Sequence, residues 1–368
     1  MKKNNEKKLL AILMSVMMIA AFAVGCGKSD EGEAKEAKKT DVKIGVEVKT
    51  LSGPFFVKLV DTVKEEAEAR GWECTVLVAD EDIQKEAENI ETFIAQGMDA
   101  IFLDSIDPDA CVPSIDAAAE AGIPLINLDS DVNGDSHVTT VYADNKENGR
   151  LSGIAYVDWL NANGKENEEI ISILLSGAKG NIAGKERRTG LFAGIIQGRT
   201  GCSEEDAWKA SEDIENQLLS DGTAENTDAM FKIVGQGWGA WTEEGGLPVA
   251  EDFITANQDV NCILGENDQM LFGAMTALEN AGLEDVALVA GADGACRAFD
   301  LIKKNSDAVN PYIVSGLNSP VLTGQKGMQI AEEIIVDGKV WEDYDKITLT
   351  EAAGVTSDLV DKYYSVGF

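Results

Sequence analysis

The sequence predicts an α/β protein with two Rossmann-like lobes, each built on a parallel sheet. The chain has 368 residues, which is about the length of two domains. Strand-like and helix-like segments alternate along almost all of it. The first unit, 41–71, consists of alternating β-branched residues, the turn Ser52-Gly53-Pro54 and an amphipathic helix that ends at Arg70-Gly71. Such alternation favours parallel strands with helices on both faces of the sheet.

The first set of these elements extends to about residue 143. We predict its further strands at 74–79, 100–103 and 124–128, and its further helices at 83–96 and 108–121. Polar side chains follow three of the strands, at Asp80, Asp104 and Asp129. Ligands of open α/β sheets bind outside the carboxyl ends of the strands, so this edge is the predicted crevice.

Two adjacent aromatic residues, Phe55 and Phe56, begin the helix of the first unit. One helix face cannot bury both rings, so at least one of them is expected to look into the crevice and stack on a ligand. Packing of both rings in the core or at a hinge is the alternative.

A second alternating set follows residue 143. We predict strands at 170–175, 231–234, 262–264, 286–290 and 313–317, and helices at 184–197, 247–256, 270–281, 296–304 and 325–336. The acidic, apolar-poor segment 199–230 is predicted to be an inserted helix and loop. The two sets indicate two similar lobes with no visible repeat in sequence.

The amino terminus resembles a bacterial lipoprotein signal. Lysines precede an apolar run at 9–24, which ends in small residues before Cys26. The resemblance implies a cleaved signal peptide at 1–25 and lipidation of Cys26, which would hold the protein at the outer side of the cell membrane. An uncleaved membrane anchor is the alternative. The polar segment 26–40 is predicted to be a flexible tether.

Composition excludes several classes of partner and site. The net charge of −34 disfavours nucleic acid and favours neutral or cationic ligands. Five cysteines besides Cys26 are scattered without paired spacing and are predicted to be unpaired thiols. His137 is the only histidine, so a Ser-His-Asp triad and a His-rich metal site are excluded. We interpret it as an exposed loop residue.

Two short motifs suggest other functions. Residues 235–240 fit the dinucleotide pattern G-x-G-x-x-A, but Trp238 would crowd a pyrophosphate and Pro248 would interrupt the following helix. Residues 129–134 copy the start of an EF-hand loop, but Thr140 stands where a bidentate Glu is needed. We therefore expect no cofactor and no metal.

Six junctions resemble, in order, those of the ribose- and galactose-type periplasmic sugar-binding proteins. The likeness runs from about residue 41 to about residue 360 and is densest at these junctions, which are 50–56, 123–129, 144–145, 185–190, 265–270 and 292–294. The resemblance implies a type I periplasmic binding protein, in which two α/β lobes joined by three hinge crossings close over a sugar. It implies a first lobe of 41–143 with 319–346 and a second lobe of 144–318 with 347–368.

The same resemblance implies the binding residues. Phe55 and Phe56 match the stacking pair of the family, and Trp241 matches the aromatic residue of the opposite lobe. The residues that match its polar ligand-binding groups are Asp129, Asp144, Arg187, Asn267, Asp293 and Asn318. Ser130 stands where ribose binders have a second Arg, and Ser52-Gly53 replaces an Asn-containing turn. These departures favour a differently shaped or larger sugar over ribose.

We therefore expect a monomeric, lipid-anchored binding protein that delivers a neutral monosaccharide or polyol to the permease of an ABC importer. It is not expected to be an enzyme. Two alternatives remain: a sugar-sensing module for a membrane receptor, and an α/β enzyme that acts on a carbohydrate.

Overall fold

The computed structural model describes residues 41–305 and 308–368. The predicted signal peptide, the tether and Cys26 lie outside these residues. The first of two sheets contains β1 (Lys43–Val48), β2 (Glu73–Val78), β3 (Ala100–Asp104), β4 (Leu125–Leu128), β5 (Thr140–Ala143) and β12 (Ile347–Thr350). Their order is β12-β5-β4-β3-β1-β2, and each neighbouring pair is parallel.

The second sheet contains β6 (Ile170–Ser176), β7 (Ala224–Asn226), β8 (Phe231–Trp238), β9 (Cys262–Gly265), β10 (Ala287–Asp293), β11 (Tyr312–Leu317) and β13 (Gly354–Val355). Their order is β13-β11-β10-β9-β6-β8-β7. The inner pairs are parallel, whereas the two edge strands, β13 and β7, pair antiparallel with their neighbours. The predicted α/β class with parallel-rich sheets is confirmed.

Helices cover both sheets. Those that accompany the first sheet are Pro54–Arg70, Ile83–Gln96, Val112–Glu120 and Pro320–Ile335. Those that accompany the second are Asn145–Ala162, Ile182–Thr200, Glu204–Asp221, Glu243–Ala256, Asp268–Ala281, Cys296–Lys303 and Val360–Tyr363. The 3-10 turns Trp341–Asp343 and Tyr364–Val366 lie near the carboxyl end of the described residues. No helix within the described ranges combines the length and the apolar character that crossing a bilayer requires.

The first helix shows how local sequence sets these boundaries. Pro54 occupies its first turn, where a missing N–H is harmless, and Gly71 ends it with a left-handed φ of 70°. The predicted helix 83–96 matches Ile83–Gln96, which Asp82 caps. The helix predicted from 247 instead begins at Glu243, because Thr242 caps it there and Pro248 is accommodated inside.

The inserted segment 199–230 forms one long helix and an edge strand. Ser203 caps the helix Glu204–Asp221 by accepting a hydrogen bond from the Asp206 N–H. The predicted loop contains β7, which pairs with β8. The insertion therefore extends the second sheet at its outer edge.

The chain changes sheet three times within the described residues. The first two changes follow β5 and β11, and the third falls between β12 and β13. The sequence assigns all of 347–368 to the second lobe, but Ile347–Thr350 pairs with Thr140–Ala143 in the first sheet. The third crossing therefore follows Thr350. Ile347 and Leu349 are exposed on this edge strand, so the hydrophobic residues of the segment do not mark a buried face that would assign it to a sheet.

One buried side chain connects the three crossings. Asn148 lies in the first turn of the helix that follows the first crossing and is fully buried. Its Nδ2 donates to the Leu317 carbonyl at 2.8 Å, and its Oδ1 accepts from the Ala353 N–H at 2.9 Å. Leu317 ends β11 and Ala353 lies between β12 and β13, so Asn148 fixes the spacing of all three crossing segments.

The environments of His137 and the cysteines test two expectations. The prediction of an exposed His137 is wrong: it is 3% exposed, and its Nε2 lies 3.3 Å from Thr140 Oγ1. The segment after β4 folds back beside β5, and burial lowers the pKa of the His137 imidazole. The prediction of unpaired thiols is confirmed for the five cysteines in the described residues.

Glu47 on β1 gives a testable pH dependence. Its side chain is fully buried, and burial raises its pKa from 4.5 to about 8. The folded protein keeps this proton where the unfolded chain has lost it. The free energy of unfolding is therefore expected to fall as pH rises between these values, by up to about 1.4 kcal/mol per pH unit.

Urea unfolding of wild-type protein and Glu47→Gln across this pH range measures the effect. The variant is expected to lack this part of the pH dependence. Its free energy of unfolding is therefore expected to rise relative to that of the wild type as pH rises. Parallel stability profiles would show that Glu47 titrates normally.

Candidate functional site

The first-sheet half of the site lies where β1, β3 and β4 end. Asp104 ends β3 and is 2% exposed, and Asp129 directly follows β4. Asp129 adopts a left-handed backbone with φ of 69°, and its N–H donates to the Val141 carbonyl at 3.0 Å. The parallel strands bring these carboxylates to one edge, as the sequence predicts.

Lys49, which the sequence analysis did not select, lies between these two carboxylates. Its Nζ is 3.0 Å from Asp104 Oδ1 and 3.4 Å from Asp129 Oδ2. Burial alone would lower the pKa of Lys49, but the two carboxylates raise it above its ordinary value. Burial raises the pKa of Asp104 to about 7, although the charge of Lys49 opposes this rise.

The two predicted aromatic residues are both partly buried but have different neighbours. The Phe56 ring lies under Lys49, whose Nζ is 4.8 Å from the ring centroid. The Phe55 ring makes an edge contact with Phe56 at 5.5 Å and another with Phe368 at 5.7 Å. Phe56 therefore adjoins the polar groups of the site. Phe55 packs against Phe368, which belongs to the core of the second sheet.

The second-sheet half centres on Arg187. Its Nη1 donates to Asp293 Oδ1 at 3.2 Å, and its Nε donates to Asn145 Oδ1 at 2.9 Å. The helices that carry Arg187 and Asn145 approach closely because glycines face each other there. A Cβ on Gly149 would lie 2.3 Å from the Arg187 carbonyl oxygen, and one on Gly190 equally close to that of Lys146.

Asp293 ends β10 and interacts with charged groups of both halves of the site. Burial raises its pKa to about 7, against the opposing charge of Arg187, and the Asp129 carboxylate of the first half adds to the rise. The Asn318 side chain hydrogen-bonds to Asp293, and the Asn318 N–H donates to the Asp293 carbonyl at 3.0 Å. The two halves therefore bring their carboxylates within electrostatic reach of each other.

Trp241 covers the floor of the second half. Its backbone is left-handed, with φ of 64°, and its carbonyl accepts from Asn267 Nδ2 at 3.1 Å. The ring lies directly on Gly177, where a Cβ would come within 1.9 Å of it. The Arg187 guanidinium lies 5.5 Å from the ring centroid. The predicted residues Trp241, Asn267 and Arg187 thus form one group.

Asp144 is the predicted site residue with a different role in the structure. Its Oδ1 accepts from the Glu147 N–H at 3.0 Å and caps the helix Asn145–Ala162. The adjacent Asn145, which is buried, bonds to Arg187 instead. Ligand binding by Asp144 stays a prediction.

A buried network behind the site, also missed in the sequence, positions Asp293. Asp268 accepts from the Gly294 and Ala295 N–H groups, at 3.0 and 2.8 Å, and from Tyr312 and Ser315. The sequence places Asn267 and Asp268 together at the start of a helix, but no sequence pattern identifies the residues to which Asp268 bonds.

The residues of the two alternative motifs make structural contacts. Gly235 and Gly237 lie within β8 and admit Phe253 and Val249, which a Cβ would meet at 2.1 and 2.2 Å. Thr140 Oγ1 donates to Asp131 Oδ1 at 3.2 Å within the EF-hand-like segment. In the part of the chain that the structure describes, no group of three or more His, Cys, Asp or Glu side chains suits a metal ion.

The arrangement is chemically suited to a neutral, hydroxyl-rich molecule. Asp129 and Asp293 provide acceptors, Arg187 and the amides provide donors, and Phe56 and Trp241 offer aromatic planes for C–H faces. Lys49 and Arg187 are both already paired with carboxylates, which disfavours an anionic ligand.

Comparison with known proteins identifies the family and the fold of the chain. A family profile described as a periplasmic binding protein domain matches residues 44–339. The chain belongs to the periplasmic binding protein family. Its fold is the type I periplasmic binding protein fold, as the sequence predicts. Members of this kind are transport components, so the expectation of a binding protein rather than an enzyme is confirmed.

Two relatives of this periplasmic binding protein illustrate the likeness. The ribose import binding protein of Bacillus subtilis is 25% identical over 337 residues, which cover 91% of this chain and 95% of that protein. The D-apiose import binding protein of Paraburkholderia graminis is 28% identical over 256 residues, which cover 68% of this chain and 69% of that protein.

Solved structures show the same fold. A galactofuranose-binding protein aligns with a TM-score of 0.68 at 22% identity, covering 88% of this chain and 97% of that one. A solute-binding protein from Actinobacillus succinogenes, solved with D-allose, aligns with a TM-score of 0.68 at 23% identity, covering 88% of this chain and 100% of that one.

Proposed function

We propose that this periplasmic binding protein is the lipid-anchored, extracytoplasmic component of an ABC importer, and that it captures a neutral monosaccharide or polyol between its two lobes. The observation that carries the proposal is the pairing of Arg187 with Asp293, which faces Asp129 of the other lobe. Relatives named as importers of ribose and D-apiose support a sugar as the ligand.

The ligand residues act together in this proposal. Phe56 and Trp241 contact the two faces of the sugar ring, while Asp129, Arg187, Asn267, Asp293 and Asn318 bond to its hydroxyls. Phe55 supports Phe56 through their edge contact. Cys26 carries the acyl anchor, and a permease accepts the sugar when the lobes open.

A thermal-shift screen of the purified protein tests the ligand class. The panel contains D-ribose, L-arabinose, D-galactose, D-allose and myo-inositol, with D-galacturonate and D-glucuronate as anionic counterparts. A neutral ligand at a hundred times its dissociation constant is expected to add about 2.7 kcal/mol to the free energy of unfolding. Uronates are expected to give no shift, because the site has no unpaired cation. Stabilisation by uronates alone would contradict the proposal.

Two further measurements test closure and the anchor. Because the ligand bridges two lobes, small-angle scattering is expected to show a smaller radius of gyration when it is bound. An unchanged radius at saturation would contradict closure.

Cys26→Ala is expected to move the protein from the membrane fraction to the soluble fraction, and its retention on the membrane would contradict the lipid anchor.

A further inference from the structure

Lys49 is a largely buried cation at the end of β1, with three oxygen neighbours. Besides Asp104 and Asp129, its Nζ lies 3.4 Å from Ser130 Oγ. The side chain is 16% exposed, and its Asp104 partner is 2% exposed. A lysine buried in this way loses the free energy of hydration of its ammonium group, and only well-placed hydrogen-bond acceptors offset that loss.

The contacts on Asp129 are one-sided. Both Lys49 Nζ and Ser130 Oγ contact its Oδ2, each at 3.4 Å. With Oδ2 engaged in this way, Oδ1 is the oxygen that remains for a ligand hydroxyl. The left-handed backbone at Asp129 directs its side chain, and the Lys49 contact lies on one of its two oxygens.

We propose that Lys49 is a positioning residue of the sugar site, which holds the Asp129 carboxylate in the orientation that accepts ligand hydroxyls and separates its charge from that of Asp104. This inference rests on the proposed function. It assigns Lys49 an effect on affinity that acts through Asp129, not through a contact of its own with the sugar.

The charges around Lys49 make this role sensitive to pH. Asp104 comes from β3, Asp129 from the end of β4, and Glu86 from the helix Ile83–Gln96. Glu47 lies on β1, two residues before Lys49, and interacts with Asp104, while Asp293 of the other lobe interacts with Asp129. Without Lys49, Asp104 and Asp129 would lose the cation between them, and ionisation of Asp104 would repel Asp129.

Four variants test the inference by calorimetric titration with the neutral sugar of the panel that binds wild-type protein most tightly. Lys49→Met is expected to weaken binding at least about tenfold near neutral pH, as for loss of one partner of a buried charge pair. The loss is expected to grow as pH rises through about 7, because ionisation of Asp104 then repels the carboxylate that Lys49 no longer separates from it. Lys49→Arg keeps the charge and is expected to retain most of the affinity.

The double variant Lys49→Met with Asp104→Asn separates positioning from direct contact. It removes the repelling charge, so it is expected to recover much of the affinity and to lose the added pH dependence. Lys43→Met is the matched control. Lys43 begins the strand that Lys49 follows, its ion pair with Glu73 is exposed, and its replacement is expected to leave affinity unchanged.

Three results would overturn the inference. Wild-type affinity in Lys49→Met would show that Asp129 needs no support. An unrecovered double variant with a flat pH profile would indicate that Lys49 contacts the sugar directly. A loss of affinity in Lys43→Met equal to that in Lys49→Met would indicate a general effect of charge. If no panel compound binds wild-type protein, the proposed function fails, and this inference fails with it.

Discussion

Arg188→Met is expected to lower the free energy of unfolding by about 3–5 kcal/mol, because it leaves two buried carboxylates without their cation. Arg188 donates to both oxygens of Glu215, at 2.7 and 2.5 Å, and to Glu266 Oε1 at 2.9 Å. The three side chains are between 0 and 7% exposed. Urea unfolding at neutral pH measures the change.

The same variant is expected to disturb the site. Glu266 Oε2 accepts from the Gly177 N–H at 2.8 Å, and Gly177 supports the Trp241 ring. Glu215 belongs to the inserted helix, so this ion pair also attaches the insertion to the body of the lobe. Loss of Arg188 therefore affects both the insertion and the surface under Trp241.

Two comparisons make the stability result specific. Lys232→Met breaks an exposed ion pair with Glu169, 3.0 Å long, and is expected to cost less than about 1 kcal/mol. A triple variant, Arg188→Met with Glu215→Met and Glu266→Gln, removes the unpaired charges and is expected to regain part of the loss. If Arg188→Met matches Lys232→Met, the triad does not stabilise the fold.

The order of strands and helices was predictable because it rests on local signals. Hydrophobic periodicity, capping residues and glycine ends placed the helix Ile83–Gln96 at its observed bounds. The edge on which Asp104 and Asp129 meet also followed from parallel strands alone. The third crossing was misplaced because the short segment Ile347–Thr350 has only a weak sequence pattern. Its pairing with Thr140–Ala143, about 200 residues earlier in the chain, cannot be read from local sequence.

The same logic explains why Lys49 was missed. Polar residues that alternate with β-branched ones in β1 suggest a solvent-facing side, yet helices cover both faces of the first sheet, and Glu47 is buried. A pattern of period two reports polarity but not whether water reaches the polar side. Asn145 and Asp268 were missed for a related reason, since their partners lie far away in sequence.

Trp241 is the residue whose replacement is expected to weaken sugar binding most. Trp241→Ala is expected to weaken sugar binding by about 2–4 kcal/mol, as for a central aromatic anchor. The ring rests on the Gly177 backbone and lies beside Arg187, so it closes one face of the crevice. Removing the ring reduces the contact area with the sugar. It also removes an aromatic neighbour of the Arg187 guanidinium.

The stability of the same variant decides between a site role and a core role. Trp241 is only partly buried, at the border of the core cluster of the second sheet. Trp72 of the first lobe is 9% exposed and is the matched control, because Trp72→Ala is expected to cost about 3–5 kcal/mol of stability as a core truncation. Trp241→Ala is expected to cost clearly less than this.

Calorimetric titration and melting curves of both variants give the answer together. Trp241→Ala is expected to melt near the wild type and bind weakly, whereas Trp72→Ala is expected to melt far lower and bind normally below its transition. Trp241→Phe keeps an aromatic plane and is expected to restore part of the affinity. A Trp241→Ala protein that melts far below the wild type yet binds with full affinity while folded would place Trp241 in the core and remove it from the site.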